Sequence, residues 1–290
     1  MNLSTIIQMK AQTKMGLKAS FDELIEMQYE AGFRNLNFTF CAIEEELKQD
    51  NWEKCIDNRI ELAKQKGIVF SSAHAPFHSK LILNDYKEDD NVEVNELIKK
   101  SIILASKANI KWITMHLGAY LDKNGNYDIE NSIKYNIEFL KPFVEVAKKY
   151  NVGIAMETMT GIHYTAPSIE ELIKITDIIN NNEGQEVVGV CYDCGHVRAG
   201  NGNQVESIKR LGHRLKSTHI HDNTGVDEHL LPMYGDINFR ELMKALKQID
   251  YKGDLSLEVK YAANIIDDFG VETYKYALEI LKKIEKYTEL

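Results

Sequence analysis

Cysteine is scarce in this 290-residue sequence, and the four present, Cys41, Cys55, Cys191 and Cys194, show no secreted disulfide pattern. Cys191 and Cys194 form a C-x-x-C. Both fall in a run that reads as a strand, where residues three apart face opposite sides, and this argues against a redox pair. Long hydrophobic runs are missing too: no stretch reaches the roughly 18 apolar residues of a membrane helix. The first residues lack a charged segment followed by a long apolar one, so no signal peptide is expected and the default location is the cytoplasm. There is no excess of positive charge. The net charge of -9 argues against general coating of nucleic acid, although not against an enzyme that touches DNA through a local basic patch. No glycine-rich phosphate loop follows the first apolar run, which counts against a nucleotide-binding doubly wound sheet. No linker, repeat or low-complexity stretch interrupts the chain, so residues 1–290 read as one domain.

What is present is an alternation of two patterns. Short, nearly continuous apolar runs occupy residues 3–7, 33–40, 68–73, 111–115, 152–156, 187–192, 215–220 and 254–257. Helical spacing fills residues 20–31, 52–66, 91–108, 128–150, 168–180, 204–211, 239–248 and 271–287 between and after them. Ser20 with Asp22 and Glu23 opens the first helix, and Gly32 and Gly67 stop the first two. Pro142 falls inside the fourth long helix and predicts a kink or a break there. Apolar strands of this kind are buried on both faces, as in a parallel sheet covered by helices. Eight strand–helix units in under 300 residues predict an α/β fold, a (β/α)8 barrel, with a doubly wound open sheet as the structural alternative.

In such a barrel the active site lies at the C-terminal ends of the strands. Reading off those ends gives His74, His116, Glu157, Asp193 with His196, His219 with His221, and Glu258; Asp227, Glu228 and His229 follow strand seven. Any one of these is most simply a solvated loop residue or a helix cap. Six consecutive strand ends that each deliver His, Asp or Glu are hard to obtain by chance. His78, His163 and His213 receive the plain reading. The set is a carboxylate–imidazole cup without thiolate, suited to Zn²⁺, Mn²⁺, Co²⁺ or Fe²⁺. Glu157, Asp193, one of His219 or His221, and Glu258 could close around one ion. His74 and His116 flank Glu157 and could hold a second that Glu157 bridges, and His196, Asp227 and His229 could hold a third. Strand parity puts His219 and His221 on one side and leaves open which of them is the ligand.

The segments Ser72-Ala73-His74-Ala75-Pro76, Met115-His116-Leu117-Gly118, Ala155-Met156-Glu157, Tyr192-Asp193-Cys194-Gly195-His196, His219-Ile220-His221-Asp222-Asn223, Asp227-Glu228-His229 and Leu257-Glu258 resemble the xylose-isomerase-like barrels over nearly the whole chain. That superfamily holds sugar and sugar-phosphate isomerases and epimerases, inositol-pathway enzymes and type IV apurinic endonucleases. The resemblance implies a divalent metal (Zn, Mn, Co or Mg), one to three ions per chain, and a small carbohydrate substrate. Glu157, Asp193, His219 or His221, and Glu258 look like the isomerase metal set. Glu157 and Glu258 would be the catalytic pair, moving a proton through a metal-stabilised enediolate. His74, His116, His196, His221 and His229 would bind substrate. All nine positions of the endonuclease trinuclear zinc set also find a match: His74, His116, Glu157, Asp193, His196, His219, Asp227, His229 and Glu258. Ala75-Pro76-Phe77 stands where the endonucleases carry a Tyr-Leu pair, and Leu231 to Phe239 looks more like an isomerase segment, with Met233-Tyr234 in place of its first glycine. The first expectation is therefore a sugar or sugar-phosphate isomerase or epimerase. The rivals are an abasic-site endonuclease, a related dehydratase or lyase, and a non-catalytic sugar-binding barrel. Barrels of this kind often pair, so a homo-oligomer is compatible with the sequence.

Overall fold

Every strand of the sheet has two parallel neighbours. The computed structural model describes residues 1–7, 16–78, 81–159 and 168–289. Its strands are β1 (Asn2–Ile6), β2 (Asn35–Thr39), β3 (Val69–His74), β4 (Trp112–Met115), β5 (Gly153–Glu157), β6 (Val188–Asp193), β7 (Leu215–Ile220) and β8 (Asp254–Leu257). Each pairs with the next, and β8 returns to β1 with Ser4 beside Ser256 and Thr5 beside Leu257, so the sheet closes into a barrel and the open-sheet alternative falls away.

The helices are α1 (Phe21–Glu30), α2 (Glu44–Leu47), α3 (Asp57–Lys66), α4 (Val92–Lys107), α5 (Ile129–Tyr150), α6 (Ile169–Glu183), α7 (Cys194–Ala199), α8 (Gln204–Leu211), α9 (Phe239–Gln248) and α10 (Ala263–Glu285). Ser20 with Glu23, and Ser168 with Glu171, form reciprocal capping boxes that start α1 and α6. Four expectations need correction. The helix through Pro142 is not broken: α5 spans the proline, and the buried Phe139, Leu140, Phe143 and Val144 hold both sides of it against the barrel, outweighing one lost backbone hydrogen bond. The pattern at residues 52–66 divides into a short 3-10 turn (Trp52–Lys54) and α3. The last helix begins at Ala263, before the predicted residue 271. Cys194 is not a strand residue, because the chain turns into α7 straight after Asp193. Cys191 and Cys194 are both buried free thiols. Among the described residues no helix is long and apolar enough to cross a membrane.

Alternation along each strand sorts the side chains. Leu36, Phe38, Ile113, Ile154, Met156, Val188, Val190, Leu255 and Leu257 are buried facing the helices, where they meet Leu97, Phe143, Leu172 and Ile175. The inward series is different in kind. Ser4, Asn37, Ser72, Thr114, Ser217 and Ser256 are all buried inside the barrel, where branched aliphatics dominate in most (β/α)8 folds. Small polar residues below and charged residues above make the interior a floor for the cup at the strand ends.

Candidate functional site

Neighbouring registers place the strand-end residues side by side: Asp193 lies beside His219, and Glu157 beside Cys191. Glu157 is the hub. Its Oε2 lies 2.9 Å from His116 Nε2 and 3.3 Å from His74 Nε2, and its Oε1 lies 2.6 Å from His219 Nδ1. The same Nδ1 is 3.1 Å from Glu258 Oε2 and 3.9 Å from Asp193 Oδ2. Beyond β7, Asp227 Oδ1 is 2.9 Å from His229 Nε2 and 3.5 Å from His196 Nε2. The donors fall into four overlapping groups: His74, His116 and Glu157; Glu157, Asp193, His219 and Glu258; Glu157, Cys191 and His219; and His196, His221, Asp227 and His229. Within each group the donor atoms lie within 4.8 Å of one another.

The backbone sets the direction of several rings. His74, His196 and His229 each place Nδ1 against a main-chain carbonyl, of Ala75 at 2.8 Å, Thr158 at 3.0 Å and Glu258 at 2.9 Å. An imidazole that donates Nδ1–H to a carbonyl keeps its Nε2 lone pair for the cup, the orientation that metal-binding histidines take. Asp193 accepts the backbone N–H of His196 at 2.6 Å, so one carboxylate both starts α7 and enters the cup. His221 Nε2 lies 2.9 and 3.1 Å from the two oxygens of Asp193, and its ring stacks on His229 at 4.0 Å. His229 holds a left-handed backbone with φ 51°, a strained state for a residue other than glycine.

Burial and charge compete at every group. Burial pushes the Glu157 carboxyl up, but His219 and hydrogen bonds from His116, His219 and His74 hold it well below the ordinary carboxylate range. Burial likewise raises Glu258, and His219 and His229 more than reverse it. Burial pulls His196 down, yet Asp193, Asp227 and Glu157 lift it to about 10. For His219 burial lowers the value, and Cys191, Glu258 and Glu157 carry it well above that of an ordinary imidazole. His116 goes the other way, because burial outweighs its hydrogen bond to Glu157. His221 Nδ1 is buried without a hydrogen-bond partner. Converging imidazole nitrogens and buried carboxylates fit a divalent cation, which would supply the compensation that buried anions need.

The loop that carries Asp227 and His229 hangs from Asp222. This buried carboxylate accepts the backbone N–H groups of Asn223 at 2.9 Å, Met233 at 2.9 Å and Ile237 at 3.0 Å. Its own backbone exchanges two 2.8 Å bonds with Leu230. Gly235 lets the loop approach, since a Cβ there would lie 2.5 Å from Asp222 Oδ1. Asp222→Ala strands three donors and is expected to cost about 3 kcal/mol in urea unfolding. Unchanged stability would show that the carboxylate does not order the loop.

All the strand-end residues named from the sequence meet in this cup. His219 falls in the central group and His221 in the outer one, so the two are not alternatives for one position. His78 lies apart, against Asn95 at 3.3 Å, and His213 sits in a turn before β7. His163 lies outside the described residues. Glu228 turns away to cap Thr224. Sequence reasoning missed Cys191, close to Glu157 and His219, and Asn37 beneath His219. Their signal was polar or thiol residues at inward strand positions. It also missed the cavity wall. A cavity of about 510 Å³ opens onto the cup, lined on its apolar side by Ile6, Phe77 and Met159. Phe77 stands 4.4 Å from the His116 ring, and Lys260 is the lysine among the lining residues described.

The family described as xylose isomerase-like TIM barrel matches residues 25–284. An uncharacterised protein of Methanocaldococcus jannaschii is 31% identical over 219 residues, covering 72% of this chain and 70% of that protein. A D-psicose 3-epimerase of Enterocloster bolteae is 24% identical over 216 residues, 71% of this chain and 66% of the epimerase. A probable endonuclease 4 of Acholeplasma laidlawii is 29% identical over 144 residues, 49% of this chain and 46% of the endonuclease. In fold, the chain resembles the IOLI protein crystallised with a zinc atom, with a TM-score of 0.79, 19% identity and coverage of 99% and 98%. It also resembles a D-tagatose 3-epimerase-like protein, with a TM-score of 0.77, 23% identity and coverage of 100% and 98%. With its closed eight-stranded barrel, its polar cup at the strand ends and a family match over most of its length, the chain belongs to the xylose isomerase-like TIM barrel family.

Proposed function

We propose that the cup holds divalent metal and that the protein is an isomerase or epimerase of small sugars or sugar phosphates. The observation that carries this reading is the pair of buried carboxylates, Glu157 and Glu258, at 2.6 and 3.1 Å from one nitrogen of His219. A bound divalent ion would act there as a Lewis acid, acidifying a C–H next to a substrate carbonyl. Glu157 takes the proton from one face of that carbon, and Glu258 returns one to the other. His196 and His229 present Nε2 toward substrate hydroxyls or phosphate, and His74 and His116 complete the polar wall, while His221, wholly buried, holds Asp193 and does not line the cavity. Asp193 and His219 hold the centre. Phe77 and Met159 exclude water from one side of the cavity. The cavity suits a molecule of monosaccharide size. The epimerases among its relatives and fold neighbours support the same reading. The test is incubation with a panel of ketoses and ketose phosphates in D₂O with Mn²⁺ or Zn²⁺. Deuterium entering next to the carbonyl, together with the epimer or isomer, is the expected result. No exchange with any of them would overturn the reading.

One observation favours a second reading, cleavage of DNA at abasic sites: the nine-residue set of the trinuclear endonucleases is present and assembled. Against it stand a cavity lining with one lysine and no arginine among the described residues, and Phe77 packed on His116 in the segment where the endonucleases carry the Tyr-Leu pair. Incision of a duplex with one abasic site would reverse the order of the two readings.

Metal uptake should release protons. Against burial, the surrounding carboxylates lift His196 to about 10, so its ring carries a proton at pH 7, and His74 and His219 are also held above the ordinary imidazole value. A ligand ring must be neutral. Affinity is therefore expected to climb as pH rises through neutrality and to fall in acid. Calorimetric titration with Zn²⁺ in two buffers of different ionisation heat should show net proton release. Equal heats in both buffers would contradict it.

A further inference from the structure

Beneath the central group lies a residue from a strand whose end contributes no donor to it. Asn37, on β2, is wholly buried, and its Nδ2 lies 3.4 Å from His219 Nε2. Its Oδ1 has no hydrogen-bond partner. The other ring nitrogen, His219 Nδ1, faces Glu157, Glu258 and Asp193. A neutral imidazole has one N–H and one lone pair. In the neutral ring, when Nδ1 donates to Glu157, Nε2 is the acceptor, and Asn37 Nδ2 lies within reach to donate to it. When Nδ1 instead offers its lone pair to a cation, the proton must sit on Nε2, where it would point at an amide NH₂. Turning the carboxamide end for end swaps two nearly isosteric groups. It brings the orphaned Oδ1 to Nε2–H and satisfies both at once.

Resting on the metal-cup reading above, we propose that Asn37 is the positioning residue that fixes His219 as an Nδ1 ligand, by accepting Nε2–H through Oδ1. A carboxamide can serve both states of the ring, donating in one and accepting in the other. An apolar side chain serves neither, and a carboxylate serves only the ligating one.

The test compares the unmodified protein with Asn37→Leu and Asn37→Asp, using Zn²⁺ affinity measured by chelator competition. Asn37→Leu, close to Asn in size, is expected to lose about ten- to a hundredfold. Asn37→Asp, which keeps an acceptor, should stay within a few-fold of the unmodified protein. Equal affinity in Asn37→Leu, or equal losses in both variants, would overturn the inference. A second measurement needs no variant: ¹⁵N–¹H long-range correlation of the histidine rings in the Zn²⁺-loaded unmodified protein. The His219 proton is expected on Nε2, with Nδ1 at the metal; a proton on Nδ1 would overturn the assignment even if Asn37→Leu failed to fold. Absence of zinc uptake by the unmodified protein would remove the cup reading and this inference together. Uptake that is indifferent to Asn37 would remove the inference alone.

Discussion

Turnover is expected to fall at least about a thousandfold when Glu157 is replaced by glutamine. The substitution keeps the size of the side chain and removes its capacity to take a proton. It also breaks the hub of the cup, because Glu157 alone reaches His74, His116 and His219. Removal of the buried negative charge withdraws the partner that keeps those rings compensated. The effect therefore has two readable parts: a loss in kcat measured with saturating metal, and a weaker hold on metal measured by chelator competition. A variant that binds metal normally but turns over slowly would place Glu157 in proton transfer. Near-normal turnover would remove Glu157 from the mechanism, and Glu258 would then be the residue to test in its place.

The second large effect is expected at Gly195, where no charge is altered. A Cβ built there would lie 1.8 Å from His221 Cε1, 2.3 Å from Nδ1 and 2.4 Å from Nε2. The ring cannot step aside freely, since Asp193 holds one edge and His229 stacks on its face. Gly195→Ala should cost roughly 3 kcal/mol in urea unfolding, at the upper end of what overpacking does. It should also disturb the outer donor group, because His221 and His229 move as a stack. The clash predicts its own remedy: adding His221→Ala to Gly195→Ala should recover much of the loss, so that the two changes together cost less than their sum. Additive losses would mean that the ring is not what excludes the alanine.

Much of the fold could be read from residue order because strands buried on both faces are short apolar runs, and helices repeat at a different period. The donors were legible for the same reason: His116 or Glu157 directly after such a run can only lie at the mouth of a barrel. What stayed hidden depends on register and on contacts across the barrel. Nothing near Cys191 in the chain shows that it falls beside Glu157 and His219. Asn37 looked like one more polar residue in an alternating strand. His221 could not be separated from His219, because strand parity gives both the same side; the strand ends at Ile220, and the loop then carries His221 to Asp193 and the outer group. The unbroken α5 shows a propensity rule overridden by packing on both sides of Pro142.

The spread of the donors around the barrel bears on how the protein comes to be assembled. His74 and Glu157 are 83 residues apart, and Glu157 and His219 are 62 apart. The seam that brings β8 and Glu258 into place joins Thr5 to Leu257 across 252 residues. Contacts so distant in sequence form late, since each demands that a long loop be closed first. No fragment of the chain that lacks the last strand owns the central group. The central group is therefore completed only by chain closure, because its Glu258 follows the final strand, whereas the other groups draw on no residue beyond His229.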